Sequence, residues 1–461
     1  MAVSDIGLAR RQRVFAVLED TVGTLKFPAG TDFIRPAGNA VMNQKPEFKD
    51  SEELADSLDV LDRFQNATPP GEWTIPMYVR PCGALATTGR PQGDALWQSL
   101  QGLIYSTETS AILPANITAG ATSLTYRKLS SPMPAKGVVK IGTENMYYTG
   151  VTATTATTGS LTGLSRGYSG SAAAHATNSV FKLSSIFYKQ SQTSPSVSIW
   201  IETDHFVQGL SGATAKGCKL SITNEGAVKA EFSGQGMQMV WAGSSTLATE
   251  LVTSATQVFV DNAKLFSTGV YIYNSTQSDD NEGDGYLLTA VNATTNRLTM
   301  STGVTIASWA TNDVIRGYLP AATVIGDPIE SRRTAIQIDT AAGYFKSGDL
   351  TINASKKYLT DEVGTEFPQN YLEEVREITS TLGMYFRKSY AKYFTDGYAA
   401  GNEVPVLLTF GNAAGKYFEV YMKKCKLEVP TISASAPAVE LSIPLKALGT
   451  VGEDSLEIYF R

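Results

Sequence analysis

The sequence predicts a mainly β protein in which one β domain is present twice. Apolar and polar residues alternate with a period of two in many short segments, which is typical of strands with one buried face. Turn-forming residues separate these segments, and Gly alone accounts for 40 of the 461 residues. Two of the alternating segments recur later in the same order. An internal repeat of this kind decides the fold class before any single element does.

The repeat consists of two matched strand segments. Residues 74–80 (TIPMYVR) recur as 381–387 (TLGMYFR), and residues 216–222 (KGCKLSI) recur as 423–429 (KKCKLEV). The first copy has about a hundred additional residues between its two segments, which is enough for an inserted domain. Alternation predicts that one face of each segment lies in a core. The predicted core residues of these strands are Met77, Val79, Cys218, Leu220, Met384, Phe386, Cys425 and Leu427.

A long hairpin with a charged end loop is predicted in each copy. The predicted arms and loop are 31–48, 69–80 and 49–66 in the first copy, and 333–350, 374–387 and 355–372 in the second. The first loop is acidic, and its carboxylates are Asp50, Glu52, Glu53, Asp56, Asp59 and Asp62. A charge-rich loop is usually solvated surface. A projecting loop that is present in both copies is also a candidate contact with another subunit.

The remaining segments complete a four-part organisation. A helix is predicted at 93–104, where Trp97, Leu100 and Leu103 share one face, and its counterpart is expected at 389–396. Segments rich in Thr, Ser, Ala and Gly, with short strand patterns, predict two small all-β modules. The predicted domains are a first copy at 1–110 and 184–242, an inserted module at 111–183, a second module at 243–319, and a second copy at 320–461.

Composition bounds the functions that the chain can have. The formal net charge is −6 and the sequence pI is near 5.3, which does not favour tight binding to nucleic acid, because phosphate neutralisation needs clustered Lys and Arg. Cys82, Cys218 and Cys425 are an odd number without CxxC spacing, so we expect neither a disulfide framework nor a zinc site. No apolar run has the length of a membrane helix and no signal peptide opens the chain, so we expect a cytoplasmic protein.

Residues that could perform catalysis are scarce. His175 and His205 are isolated and are interpreted as surface or turn residues. Residues 279–285 (DDNEGDG) superficially resemble a calcium loop but lack the DxDxDG spacing, so we interpret them as an acidic hairpin tip. No HExxH or Walker sequence is present. We therefore expect a non-enzymatic protein without catalytic, cofactor-binding or metal-binding residues.

Several segments together resemble a known family. Residues 14–24 (VFAVLEDTVGT), residues 71–81 (GEWTIPMYVRP), the helix that follows them and the Cys-Lys-Leu strand look like the major tail tube proteins of long-tailed bacteriophages. The inserted stretch 118–175 is similar to small β modules of phage tail proteins. This resemblance implies two tail-tube-type β-sandwich domains, each with a flanking helix and a long hairpin, plus two small all-β inserted modules.

The resemblance also implies an assembly. Three chains would close into a trimeric, pseudo-hexameric ring with an inner β-barrel, and stacked rings would form a tube through which DNA passes. The hairpin arms would supply the inner barrel, the loops 49–66 and 355–372 would contact the next ring, and the small modules would lie outside. The implied partners are the chain itself, a tape measure protein in the lumen, and the tail terminator and baseplate proteins, with no cofactor and no membrane. The implied location is the virion, after assembly in the host cytoplasm.

Other classes of function remain open from the sequence. Decorated β-sandwiches also serve as baseplate, distal tail or host-recognition proteins. A carbohydrate-active enzyme built on β modules would need a carboxylate pair in a cleft. The tube of a contractile injection system is a close relative of the main hypothesis, and a neighbouring sheath gene would distinguish it.

Overall fold

The fold is described from a computed structural model. It covers residues 11–460 except 54–58, 61, 82–89, 129–136, 143, 149, 156–157, 170–171, 224, 305–307, 339–340, 393–402, 412–417, 436–437 and 450–451. The chain is 53% strand and 6% helix, and its sheets are antiparallel, which confirms the prediction of a mainly β protein. Within these ranges no helix is long and apolar enough to cross a membrane.

The first copy contributes twelve of the described strands and the one α-helix of more than one turn in the described part of the chain. Its strands are β1 (Gln12–Leu18), β2 (Phe33–Ile34), β3 (Val41–Asn43), β4 (Phe48–Asp50), β5 (Arg63–Gln65), β6 (Gly71–Tyr78), β7 (Gly102–Ile112), β14 (Val180–Gln190), β15 (Val197–Thr203), β16 (Phe206–Thr223), β17 (Lys229–Gly236) and β18 (Gln238–Ala242). The helix α1 (Asp94–Gln101) is flanked by Gly93 and Gly102, which both have positive φ. Glycine adopts that conformation without steric cost.

The first small module lies between β7 and β14. Its strands are β8 (Ser123–Lys128), β9 (Gly137–Ile141), β10 (Glu144–Tyr148), β11 (Gly150–Ala153), β12 (Thr158–Thr162) and β13 (Ser165–Ser169). The module has a hydrophobic core of its own, centred on Val139, Met146 and Leu161. Strands β7 and β14 pair along their full length from Gly102 and Gln190 to Ile112 and Val180, so they form a stalk beneath the module. At the end of the stalk away from the module, residues 186–189 of β14 also pair with β33.

The second small module is joined to the first copy through a shared core. Its strands are β19 (Ser244–Thr246), β20 (Gln257–Phe259), β21 (Tyr271–Asn274), β22 (Tyr286–Asn292), β23 (Arg297–Met300) and β24 (Val314–Gly317). Leu288 and Trp309 of the module belong to the same buried cluster as Phe15, Trp200 and Val207 of the first copy. The two parts therefore fold against one another.

The second copy follows directly. Its strands are β25 (Thr334–Ile338), β26 (Ala341–Gly343), β27 (Ser347–Tyr358), β28 (Tyr371–Tyr385), β29 (Glu403–Phe410), β30 (Phe418–Leu427), β31 (Thr431–Ser435), β32 (Ala438–Ala447) and β33 (Glu457–Phe460). Short 3₁₀ turns occupy Gly30–Asp32, Ala263–Leu265, Asn281–Gly283, Ser331–Arg333 and Lys388–Ala391. The helix expected at 389–396 is a 3₁₀ turn over Lys388–Ala391, and its remaining residues from 393 onward lie outside the described ranges.

The hairpin arms differ from the predicted bounds. In the second copy the arms are β27 and β28, so the hairpin starts at Ser347 and not near residue 333. The segment that was assigned to the arm instead forms β25, which pairs with β29 and β26. In the first copy β2 pairs with β1, and the hairpin begins only at β3. The strand pattern was recognised correctly in both places, but strand partners are not encoded by periodicity.

One continuous sheet runs through both copies. Its strand order is β3–β6–β17–β16–β27–β28–β32, with the end of β30 next to β32. Strands β3, β6, β17 and β16 of the first copy correspond to β27, β28, β32 and β30 of the second. One large core covers a single face of this sheet and contains residues of both copies, such as Leu220 and Leu350.

Candidate assembly interface

The contact between the two copies is a ladder of backbone pairs. Residues 217–223 of β16 pair with residues 347–353 of β27, and we call this ladder the internal seam. Its central pair is Leu220 with Leu350, and both side chains are fully buried. The last sheet strand of one copy thus pairs with the first hairpin strand of the next. Backbone ladders of this kind are the way in which sheet edges join separate chains.

Helix α1 strengthens the junction beside the seam. The ring of Trp97 lies 4.7 Å from the ring of Phe232 in the first copy, between ring centroids. It also lies 5.6 Å from Phe418 and 5.6 Å from Phe460 in the second copy. Aromatic pairs in this distance range add to the stabilisation from buried area. The helix predicted from the Trp97 stripe therefore holds the two copies together.

A buried ammonium group lies where β27 extends beyond the seam. Lys356 Nζ donates to the Ser99 carbonyl at 2.7 Å and to the Ser194 hydroxyl, and it lies 3.7 Å from Glu373. Glu373 in turn accepts from the Ser194 backbone N–H at 3.1 Å. Burial lowers the pKa of Lys356 to about 8, although the nearby Glu373 carboxylate acts in the opposite direction.

Two tyrosines complete this polar contact. Tyr358 Oη lies 2.7 Å from the Gly212 carbonyl oxygen, 2.8 Å from the Gln235 carbonyl oxygen and 2.9 Å from the Thr214 hydroxyl. Tyr371 donates to the Ser194 carbonyl at 2.6 Å. Burial raises the pKa of both phenols, so both stay protonated and able to donate. The far half of the second hairpin is thus fixed to the first copy by hydrogen bonds.

The equivalent edges at the two ends of the sheet lack this neighbour. Ile222 is 4% exposed in the seam, whereas its counterpart Val429 at the end of β30 is 52% exposed. At the other end, the described part of the chain pairs β3 with β6 and places no second strand on its outer side. The side chain of Gln12 caps the backbone of Ala40 just before β3. At the far end, β29 pairs with β30 from Phe418 to Lys426, and the next segment, β31, pairs with β32 alone among the described strands.

The predicted contact residues of the acidic loop surround a short ladder. Strand β4 pairs with β5, and Asp50 forms an ion pair with Arg63 at 3.0 Å. Glu52 pairs with Lys49 at 2.8 Å. Glu53, Asp59 and Asp62 are exposed, and Asp56 lies outside the described residues. The described carboxylates are brought together at one end of the hairpin, where they face solvent.

Most of the predicted core residues are buried. Met77, Val79, Cys218, Leu220, Met384, Cys425 and Leu427 all lie in the large core. Burial raises the pKa of both thiols, which for Cys425 reaches about 12, so neither is a thiolate at neutral pH. The prediction is wrong for Phe386, which is 37% exposed. Its counterpart Val79 also follows the last residue of its strand, but Val79 is buried and exchanges backbone hydrogen bonds with Val228 and Ile329.

The isolated polar groups are structural. His175 Nε2 lies 2.8 Å from Glu144, which also binds Arg166 at 2.7 Å, and all three side chains are largely buried in the first small module. His175, interpreted as a surface or turn residue, has a side chain that is only 11% exposed, and its backbone forms an isolated bridge with Ile117. Asp279 is also buried and accepts from Tyr286 at 2.9 Å and Trp309 at 2.8 Å, so it is not part of an exposed tip. Among the described residues no His, Cys, Asp and Glu cluster could hold a metal ion.

The polar contact around Lys356 was not predicted from the sequence. A signal for it was present, because β27 has a period of two in the residues Leu350, Ile352, Ala354, Lys356 and Tyr358. That alternation places Lys356 on the same face as the apolar residues. A lysine in such a position is buried only when it has partners, and its hydrogen-bond acceptors Ser99 and Ser194 are more than a hundred residues away in the sequence.

Comparison of the sequence with models of known protein families and with curated proteins found no match. The function is therefore inferred from the geometry of the chain and from the residues that carry the family resemblance.

Proposed function

We propose that this protein is the subunit of a bacteriophage tail tube, in which three chains close into a pseudo-hexameric ring and the rings stack around a channel for DNA. The proposal joins the family resemblance of the sequence to the arrangement of the two copies. In this proposal each copy is a tail-tube-type β-sandwich domain.

The internal seam is the observation that carries the proposal. It joins β16 of one copy to β27 of the other. At the two ends of the described sheet, the strands with a free outer edge are β3 and β31. A second chain can form the corresponding contact by pairing its β3 with β31. Such a contact is head-to-tail, and it gives a closed ring if the rotation per copy divides a full turn. Three chains with two copies each provide six units.

The sheet face opposite the core has the character expected of a channel wall. It carries exposed Thr351, Thr379 and Lys219 among acidic and basic residues. Its charges occur in pairs, such as Lys446 with Glu377, Lys346 with Glu440, and Lys229 with Glu231 at 3.8 Å. Because neighbouring charges offset one another, this face offers few unpaired cations to hold a polyanion. DNA could pass such a wall without specific binding.

The other parts have places in this assembly. The loops at the ends of the two hairpins would contact the next ring, and the two small modules would lie outside. A tape measure protein would fill the lumen before ejection, and terminator and baseplate proteins would bind the ends of the tube. The same geometry fits the tube of a contractile system.

Negative-stain electron microscopy of the purified protein tests the proposal. We expect rings with threefold symmetry, and stacked tubes at higher protein concentration. Monodisperse single chains at all concentrations, or assemblies without threefold symmetry, would contradict it. Binding of the monomer to bacterial cells would favour a host-recognition protein instead.

A further inference from the structure

The two hairpins correspond residue by residue at their far ends. Phe48 pairs with Gln65 in the first hairpin, and Lys356 pairs with Glu373 in the second. Two positions further on, Asp50 pairs with Arg63, as Tyr358 pairs with Tyr371. Each end loop then contains the same number of residues, 51–62 and 359–370. Phe48 therefore occupies the position of Lys356.

The same hairpin face is buried in one copy and exposed in the other. Lys356 and Tyr358 are buried because the first copy covers them. Phe48 is 49% exposed, and the guanidinium carbon of Arg63 lies 5.5 Å from its ring centroid. About half of this side chain is therefore open to solvent in the single chain.

We propose that Phe48 packs against the second copy of a neighbouring chain, in the position where Lys356 packs against the first copy of its own chain. This inference rests on the proposed tube function and identifies the residue that recognises the partner subunit. The occupant is a second copy of this chain, because the internal seam shows how a domain of this kind receives the equivalent hairpin face.

The exchange of Lys for Phe distinguishes the two hairpins at the receiving site in the first copy. This site offers the Ser99 carbonyl and the Ser194 hydroxyl, which satisfy an ammonium group. A phenylalanine there would leave these buried polar groups without a donor. Entry of the first hairpin into this site is thus disfavoured, which is how interfaces gain specificity.

The opposite face of the hairpin provides a matched control. Phe64 pairs with Lys49 and points to the other side of the ladder, where its counterpart in the second copy is Leu372. Phe64 is 53% exposed and Leu372 is 55% exposed. The internal seam therefore leaves this side uncovered. Phe64 matches Phe48 in residue type, exposure and distance from the loop, but lies on the wrong face for the proposed contact.

Ring closure of Phe48→Asp and Phe64→Asp variants tests the proposal. Both residues are exposed, so both variants should keep the thermal melting transition of the wild-type monomer. We expect Phe48→Asp to raise the protein concentration needed for ring formation at least tenfold, and Phe64→Asp to form rings like the wild type, as counted by electron microscopy.

The possible outcomes separate this inference from the tube function. Wild-type rings together with normal rings of Phe48→Asp would overturn the role of Phe48 and leave the tube function standing. Equal loss of rings in both variants would also overturn it, because the contact would then not be specific to one face. Failure of the wild-type protein to form any ring would overturn both proposals.

Discussion

Burying Lys356 between the two copies of the domain costs free energy. A buried ammonium group loses its hydration, and only partners with suitable geometry compensate for the loss. Here the Ser99 carbonyl and the Ser194 hydroxyl supply hydrogen bonds, and Glu373 supplies the opposite charge. The residual penalty is visible in the pKa of Lys356, which burial lowers to about 8.

The pKa of Lys356 predicts how stability depends on pH. The folded value lies below the ordinary value of 10.5, so between about pH 8 and 10.5 the unfolded chain binds more protons than the folded one. Stability therefore rises with pH in this window, and below pH 8 the contribution is constant. Relative to Lys356→Met, we expect the wild type to gain about 2 kcal/mol between pH 8 and 10, measured by urea unfolding followed by tryptophan fluorescence.

The difference between the two proteins is the relevant quantity, because it cancels the titration of other lysines and of tyrosines. Lys357→Met is the control, because Lys357 is the next residue along β27 and its side chain lies on the exposed face of the strand. If the stability of the wild type and of Lys356→Met depended equally on pH, the ammonium group of Lys356 would not be desolvated in the folded protein.

At the scale of elements, the sequence predicted strands better than their partners. The repeated Cys-Lys-Leu pattern correctly placed Cys218 and Cys425 in the core, because alternation depends only on neighbouring residues. The start of the second hairpin was displaced by several residues, because Thr334–Ile338 has the same alternation as an arm but pairs with β29. Lys356 and its partners in the first copy were not found. Their contact depends on tertiary packing, which local pattern does not contain.

The two small modules should differ in how they tolerate deletion. The first has a separate core on the β7–β14 stalk, and Ile112 pairs with Val180 at its base. Replacing residues 113–179 by a two-residue turn should leave a folded protein that still assembles, with a smaller outer diameter in electron micrographs. Replacing residues 247–313 should instead abolish soluble expression, because Phe15 and Trp200 would lose the core that buries them.

Both deletions join strand residues that pair directly, Ile112 with Val180 and Thr246 with Val314. Strain in the shortened loops therefore does not cause the expected difference between the two variants. Loss of folding in the first deletion would show that the first module stabilises the domain beneath it. Normal folding in the second would show that Trp200 finds other partners.

The acidic loop is predicted to act between rings and not within them. Replacing residues 51–62 by an Asn-Gly turn keeps the ladder of Asp50 with Arg63 and fits a short hairpin. We expect closed rings that do not stack into tubes, as judged by electron microscopy and sedimentation. A second variant should change Asp50, Glu52, Glu53, Asp56, Asp59 and Asp62 to their amides. It tests whether charge or loop length is responsible. Tubes of normal length from the deletion would remove the loop from the inter-ring contact.

At the scale of the whole molecule, each copy in the chain has the strands for one kind of contact. Within a single chain this contact forms once, between β16 and β27. By the ladder, Val41 occupies the position of Asp349, because each pairs with the same Thr of the repeat, Thr74 and Thr381. By the same ladder, Ser433 of β31 occupies the position of Ser221, because their partners Glu440 and Lys229 pair with the same Tyr of the repeat, Tyr385 and Tyr78. Since Ser221 pairs with Asp349 inside the chain, Ser433 of one chain should pair with Val41 of the next.

Disulfide trapping tests this register. Directly opposed residues of an antiparallel pair have Cβ atoms roughly 4.5–5.5 Å apart, close to the spacing that a disulfide needs. The double variant Val41→Cys with Ser433→Cys should form disulfides between chains under oxidation. The largest closed product on a non-reducing gel should contain three chains. The variant Ser221→Cys with Asp349→Cys should cross-link within one chain and calibrates the reaction. Val41→Cys with Thr431→Cys is displaced by two residues along the same face of β31 and should cross-link far less. Equal cross-linking in both registers would mean that the internal seam does not repeat between subunits.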